Sequence, residues 1–352
     1  MKLRAYQNGF SLVELMISTL IGLIISYTVL QVYLTQSQFY KSSNSQSLIL
    51  STENAIINLL TPAIRSAGFL GCGTTATAIS NLNAGAPDPL GTLNTVPAMI
   101  IGYNGSGTSF TFTQTNPAND TNNTHWSPNL PATLNGQVVQ GNDVVIVLGA
   151  IPGTAPIGVT QIDPGSTTVG LQSTTGTNIT AGQLGAVSDC VKSIIFQITS
   201  AGANSVTHSS GAGSMQNASS TFPVNFPVGS QFMQVQETAF FIGQGQGGQS
   251  SLMRGILNGG AWTVEPLVPG IEFMKVQYGI GDNRLITQYV SANAVTDWTK
   301  VYSVRIGFLI AGKIGSASSA RTYTVLDTTV TVPADNLLRH TYEMTIQLRN
   351  SI

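Results

Sequence analysis

Charged side chains make up only 8% of this chain of 352 residues, and the formal net charge is −1. Proteins that bind nucleic acid by neutralising phosphates need a basic surface, so that class loses its usual support and nucleic acid stays undecided as a partner. Histidine is scarcer still. His125, His208 and His340 are far apart, with no second His or Cys at metal-ligand spacing. There is no Gly-x-Ser-x-Gly, His-Glu-x-x-His, phosphate-binding loop or dinucleotide fingerprint, which argues against an enzyme and against a bound metal or cofactor. Asp120, among Asn116, Asn119, Asn122 and Asn123, lacks the ordered spacing of a calcium loop and reads as a solvated turn. Arg339 and Arg349 read as strand-edge charges. Proline is absent before Pro62, and Leu15 to Tyr40 hold no charge. No convincing small-x-small cleavage site follows that apolar run, as an ordinary secretory signal would require.

What the chain does have is concentrated at its start. Lys2 and Arg4 lie in a polar leader of nine residues, followed by Gly9-Phe10-Ser11-Leu12-Val13-Glu14 and then the charge-free run. The positive-inside rule leaves the leader in the cytoplasm. About 20 helical residues cross a hydrocarbon core, which predicts a membrane anchor over residues 10–34. Glu14 is a lone carboxylate at its start, and such a charge costs about 2.5–3.5 kcal/mol in hydrocarbon unless it finds a partner. The alternative is that it snorkels to the headgroups. Farther on, Leu48, Ala55, Ile56, Leu59, Leu60, Ala63, Ile64 and Ala67 recur at helical spacing. One long helix from Ser11 to near Gly68 follows, amphipathic over residues 35–68, with Pro62 expected to kink or restart it.

This layout resembles the type III signal of type IV prepilins and of the pseudopilins of type II secretion. The resemblance implies cleavage after Gly9 by prepilin peptidase and methylation of the new N-terminus, Phe10. It also implies that Glu14 pairs with the N-terminal amine of a neighbouring subunit and sets axial register. The membrane lipid and an inner-membrane assembly platform are the further partners that it brings.

The remainder is rich in Gly, Ser, Thr, Asn and Gln, which suits short strands and polar loops. Val144 to Leu148 reads as a strand buried on both faces; Ser193 to Ile198, Phe232 to Val235 and Phe240 to Ile242 are further strands. The stretches 116–123 and 199–220 read as mobile polar loops. Period-two alternation marks half-buried antiparallel strands in three places. Glu272, Met274, Val276 and Tyr278 share one face of the first. Tyr302, Val304, Ile306, Phe308 and Ile310 share a face of the second, and Tyr342, Met344, Ile346 and Leu348 a face of the third. The helix stripe is their expected cover.

Here the resemblance narrows. Ala67-Gly68-Phe69-Leu70-Gly71-Cys72-Gly73, Leu267-Val268-Pro269-Gly270-Ile271-Glu272, Val304-Arg305-Ile306, Leu337-Leu338-Arg339-His340 and Leu348-Arg349-Asn350 look like the PilW family of minor pilins. Its secretion counterpart, the J-type minor pseudopilin, is usually shorter. An isolated cysteine pair in an oxidising envelope compartment favours a Cys72–Cys190 bridge over two buried free thiols, worth about 4–5 kcal/mol in the chain-entropy model.

The expected fold is α+β and type IV pilin-like: a long N-terminal helix packed on an antiparallel sheet, with a large β-rich middle insertion. The expected domains are a removable leader, 1–9, the helix, 10–68, and a β-rich globular domain, 69–352. The expected function is that of a minor pilin acting with other minor pilins and the major pilin in a priming or tip complex, and thereby in twitching, adhesion or DNA uptake. It would sit first in the inner membrane, with a periplasmic domain, and then in a surface pilus. The alternatives are a type II secretion minor pseudopilin and a signal-anchored envelope adhesin or enzyme.

Overall fold

The computed structural model describes Gly9 and residues 11–74, 77–83, 90–163, 165–213, 215–314 and 322–350. A helix, Leu12–Arg65, leads into a β-rich body. It does not restart at Pro62, contrary to expectation. The proline falls in the last turn, where few backbone bonds remain to be lost, and its own carbonyl accepts from Ser66 N at 3.0 Å. The buried stripe is Ser45, Ile49, Thr52, Ile56, Leu60 and Ile64. Leu48 and Leu59, expected within it, are 41% and 37% exposed. Polar Ser45 takes a place in the seam because its Oγ accepts from Lys313 N at 2.6 Å.

The helix covers a four-stranded antiparallel sheet in the order Leu285–Val290, Ile271–Asp282, Val301–Ile314, Leu337–Gln347. Register aligns Val276, Ile306 and Met344, and beside them Tyr278, Val304 and Ile346. These residues form one core with Ile49, Ile56, Leu60 and Ile64 of the helix. On the same sheet face His340 Nδ1 meets Glu53 Oε1 at 2.9 Å. The opposite face is covered by the hairpin of Thr322–Val325 and Thr328–Thr331, joined in parallel by Ser109–Thr111. That hairpin lies so close that a Cβ on Gly307 would come within 2.7 Å of Val325. Alternation is therefore present, yet the Ile271–Asp282 strand is buried on both faces for most of its length rather than half-buried. Covers on both sides are the reason.

The middle of the chain builds a twelve-stranded sheet around the strand Gln231–Gln244. That strand pairs with Val144–Ala150, Leu184–Ser188 and Ser250–Asn258. The two short strands expected at 232–235 and 240–242 are one, because the intervening Glu237 is buried and its Oε1 accepts from Leu90 N at 3.1 Å. Ile100, Val145, Val147, Phe240 and Ile242 from this sheet, with Met99 just before the strand Ile100–Tyr103, join the same core as the helix.

Both supposed mobile loops are tied down. Asn116 Oδ1 and Asn119 Oδ1 accept from Ser250 N and Gln244 N at 3.1 and 2.8 Å, and Asp120 is engaged by His125. Within 199–220 the strands Ser200–Gly202 and Ser205–Thr207 form a hairpin, and buried Asn217 bonds both Gln197 N and Gln197 O. His208 is buried there, stacked on Phe222 at 3.8 Å between ring centroids. Burial lowers its pKa from 6.5 to about 4. The unfolded chain thus takes up the proton first, so the contribution of His208 is full above pH 6.5 and falls by about 2–3 kcal/mol as pH drops toward 4. Buried Asp143, raised to about 6, acts in the opposite direction over the same range, so the contribution of His208 is read as the difference between thermal melts of the wild type and of His208→Phe, which should narrow as pH falls.

Candidate functional site

Residues 12–44 of the helix are exposed except for half-buried Ser37 and Ser42; Ser45 is the first fully buried helical residue. At 1.5 Å per residue this leaves about 50 Å of helix standing clear of the body. Leu12, Leu23, Ile25, Val29 and Tyr33 are among its exposed side chains. The helix is long and apolar enough to cross a bilayer. Several of its hydroxyls are satisfied internally, as hydrocarbon demands. Ser18 Oγ donates to Glu14 O at 2.7 Å, Thr28 Oγ1 to Ile25 O at 2.8 Å and Thr35 Oγ1 to Gln31 O at 2.8 Å. An exposed apolar surface of this extent calls for lipid or other apolar helices.

Glu14 lies in the first helical turn with its side chain exposed, where a negative charge suits the positive end of the helix dipole. The next charged side chain is Lys41. Gly9 precedes the helix and is exposed, and a Cβ built on it would meet nothing within 4 Å. The fold itself does not require glycine there. Phe10, Lys2 and Arg4 lie outside the described residues. Cys72 and Cys190 form a disulfide with Cα atoms 4.8 Å apart, and both residues are exposed rather than buried. It ties the segment after the helix to the loop between Leu184–Ser188 and Ser193–Gln197.

Two buried ion pairs escaped the sequence reading. Arg339 stands on the edge strand Leu337–Gln347, but its side chain is buried and not solvated. Its guanidinium donates to Glu272 through Nε at 2.5 Å and Nη2 at 3.0 Å, and to Asp335 through Nη1 at 2.8 Å and Nη2 at 2.6 Å. Asp335 also accepts from Thr115 Oγ1; burial would raise its carboxyl, but the bonds from Arg339 and Thr115 hold it at about 2. Lys275 donates to Asn104 Oδ1 at 2.6 Å and Ser106 O at 2.8 Å, 3.7 Å from Asp143. Asp143 accepts from Val276 N and Gly105 N at 2.8 and 2.9 Å, while burial pushes its carboxyl up to about 6. The signal available in sequence was a charge inside a strongly apolar strand, which announces a partner without identifying it. Among the described residues no group of three His, Cys, Asp or Glu side chains could hold a metal.

The motif residues fall at the joints of this frame. Glu272 and Arg339 join two of them. Asn350 joins a third to the helix end, its Nδ2 donating to Ala67 O at 3.0 Å. Gly68, with φ of +78°, turns the chain out of the helix and donates to Leu148 O at 2.7 Å.

Residues 4–26 match the prokaryotic N-terminal methylation motif, and residues 239–350 match the type IV pilus-assembly protein W family. The second match takes in all four strands of the sheet that the helix covers. Among solved structures, a type IV-like pilin from Thermus thermophilus is similar at 21% identity, over 34% of this chain and 69% of that one, with a TM-score of 0.24. No curated protein matches the chain.

Proposed function

We propose that this PilW-like minor pilin enters the inner membrane as a prepilin, with residues 1–9 in the cytoplasm, residues 10–34 across the bilayer and the β-rich domain, 69–352, in the periplasm. Prepilin peptidase then cuts after Gly9 and methylates Phe10. The mature subunit passes through the inner-membrane assembly platform into the type IV pilus. There it joins other minor pilins and the major pilin in the complex that primes or tips the filament at the cell surface.

The observation that carries this reading is the free half of the helix, apolar on every side and bearing Glu14 as its sole charge before Lys41. One such surface suits lipid first and sister helices later, because dispersion contacts and apolar burial do not distinguish between them. Glu14 supplies what apolar packing lacks, a fixed axial position, by pairing with a neighbour's N-terminal amine. The peptidase accounts for Gly9, where the fold imposes no steric demand. The pseudopilin alternative shares this chemistry; the protein W match supports the pilus.

Mass spectrometry of membrane fractions tests the reading. Gly9→Glu should retain the leader and appear about nine residues heavier than the mature form, as insertion scales tolerate a charge outside the bilayer centre. Glu14→Ala should be cut and inserted at normal abundance, yet be missing from sheared pili. A wild-type protein that keeps residues 1–9 in cells with active peptidase would overturn the proposal.

A further inference from the structure

The positive charges of the globular body, among the described residues, divide into two groups. Lys192, Arg254, Lys275, Lys300, Arg305 and Arg339 each face a carboxylate, and Lys313 is engaged as well. Arg65, Arg284 and Arg349 have no carboxylate partner among the described residues, and these three line one concavity of about 230 Å³. They arrive from separate elements: the last turn of the helix, the turn after the strand Ile271–Asp282, and the segment after Leu337–Gln347. Tyr302, Gln347 and Leu348 complete the lining, which holds no acid. In a chain this poor in charge, three guanidinium groups gathered around one hollow with no acid among the described residues that line it need a cause.

The end of the helix does not supply it. Carbonyls there carry partial negative charge that cations can offset. The backbone N–H of Arg349 already donates to Arg65 O at 3.3 Å, and Asn350 Nδ2 to Ser66 O and Ala67 O at 3.4 and 3.0 Å. The guanidinium groups themselves face no carboxylate among the described residues. Lipid headgroups are out of reach, since Arg65 lies 25 residues beyond Tyr40, about 37 Å along the helix from the end of its charge-free stretch. Single-stranded nucleic acid is held on exposed aromatic platforms, whereas Tyr302, the pocket's aromatic residue, is 5% exposed.

We propose that the Arg65–Arg284–Arg349 pocket seats the carboxylates of an acidic peptide segment on a neighbouring protein. Each guanidinium presents N–H donors in a fork that matches a carboxylate two bonds at a time. Three forks around a hollow with buried Tyr302 and Leu348 at its wall accommodate two adjacent acidic side chains with their aliphatic stems. Neither cleavage after Gly9 nor filament assembly is required for this contact.

The test uses the full chain in detergent micelles and fluorescein-labelled hexaglutamate, read by anisotropy. Saturable binding that added salt weakens is expected, with none to hexaglutamine. The double substitution Arg284→Ala with Arg349→Ala should weaken binding about tenfold or more, as loss of charge-assisted hydrogen bonds implies, without shifting the melting temperature. Arg284→Lys with Arg349→Lys, which keeps charge but loses the fork, should fall between the two and decides the matter if the alanine protein melts lower. Wild-type affinity in the alanine or lysine variants overturns the proposal. So does displacement of hexaglutamate by a DNA hexamer more readily than by unlabelled hexaglutamate, which would make the pocket a nucleic-acid contact.

Discussion

Ile306→Asp is expected to cost about 4 kcal/mol or more, and Arg305→Asp, one residue away, about 1 kcal/mol or less. Ile306 is fully buried in the core that the helix and the sheet share, with Val276 and Met344 as its cross-strand neighbours. An aspartate there would lie in the seam without a partner. Arg305 points the other way, is 42% exposed as a side chain, and pairs with Glu343 at 3.1 Å. Reversing its charge sets two carboxylates side by side, but water screens them. A domain of this kind is held by about 5–15 kcal/mol in all, so the first change removes much of it. Thermal melting of the full chain in detergent separates the two, at about 2–4 °C per kcal/mol for a large domain. Equal losses would contradict the face assignment of the Val301–Ile314 strand, and with it the docking of the helix.

Removing Arg339 should be nearly as damaging. Arg339→Ala strands Glu272, a residue 6% exposed, and takes the main partner from Asp335. Breaking one side of a buried pair costs about 3–5 kcal/mol, a fall of about 10 °C by the same scale. The instructive comparison is the double substitution Arg339→Met with Glu272→Leu. Apolar replacement of a whole buried pair is often neutral, so more than half of the loss should return. If the double variant melts as low as Arg339→Ala, the damage lies in packing around the guanidinium and not in the orphaned carboxylate.

The contrast between these two sites shows what was legible beforehand. Ile306 was assigned to the covered face from alternation alone, because a strand places every second side chain on one side whatever it pairs with. Arg339 was read only as a strand-edge charge, and its burial was not legible, since nothing local in the sequence points to a carboxylate 67 positions away. Leu48 and Leu59 failed differently. Helical spacing marks an apolar sector wider than the contact, and the seam takes in Ser45 at its start, where the hydroxyl meets the Lys313 backbone, and Thr52 farther along. Gln236, Glu237 and Thr238 looked like a strand break, yet Glu237 could be buried once Leu90 N offered a donor.

What the sequence determined by itself is the local and the solvent-coupled part. Period and hydropathy are properties of neighbours along the chain, so they specify a helix from Leu12, its free apolar half with one carboxylate, and the alternating strands. Tertiary structure decided the rest: which apolar positions meet, which buried charges pair, the closing of the middle region into one twelve-stranded sheet, and the gathering of Arg65, Arg284 and Arg349 at one hollow. Those outcomes depend on contacts between distant segments, whose energies exist only once packing has expelled water and brought the groups within hydrogen-bond range.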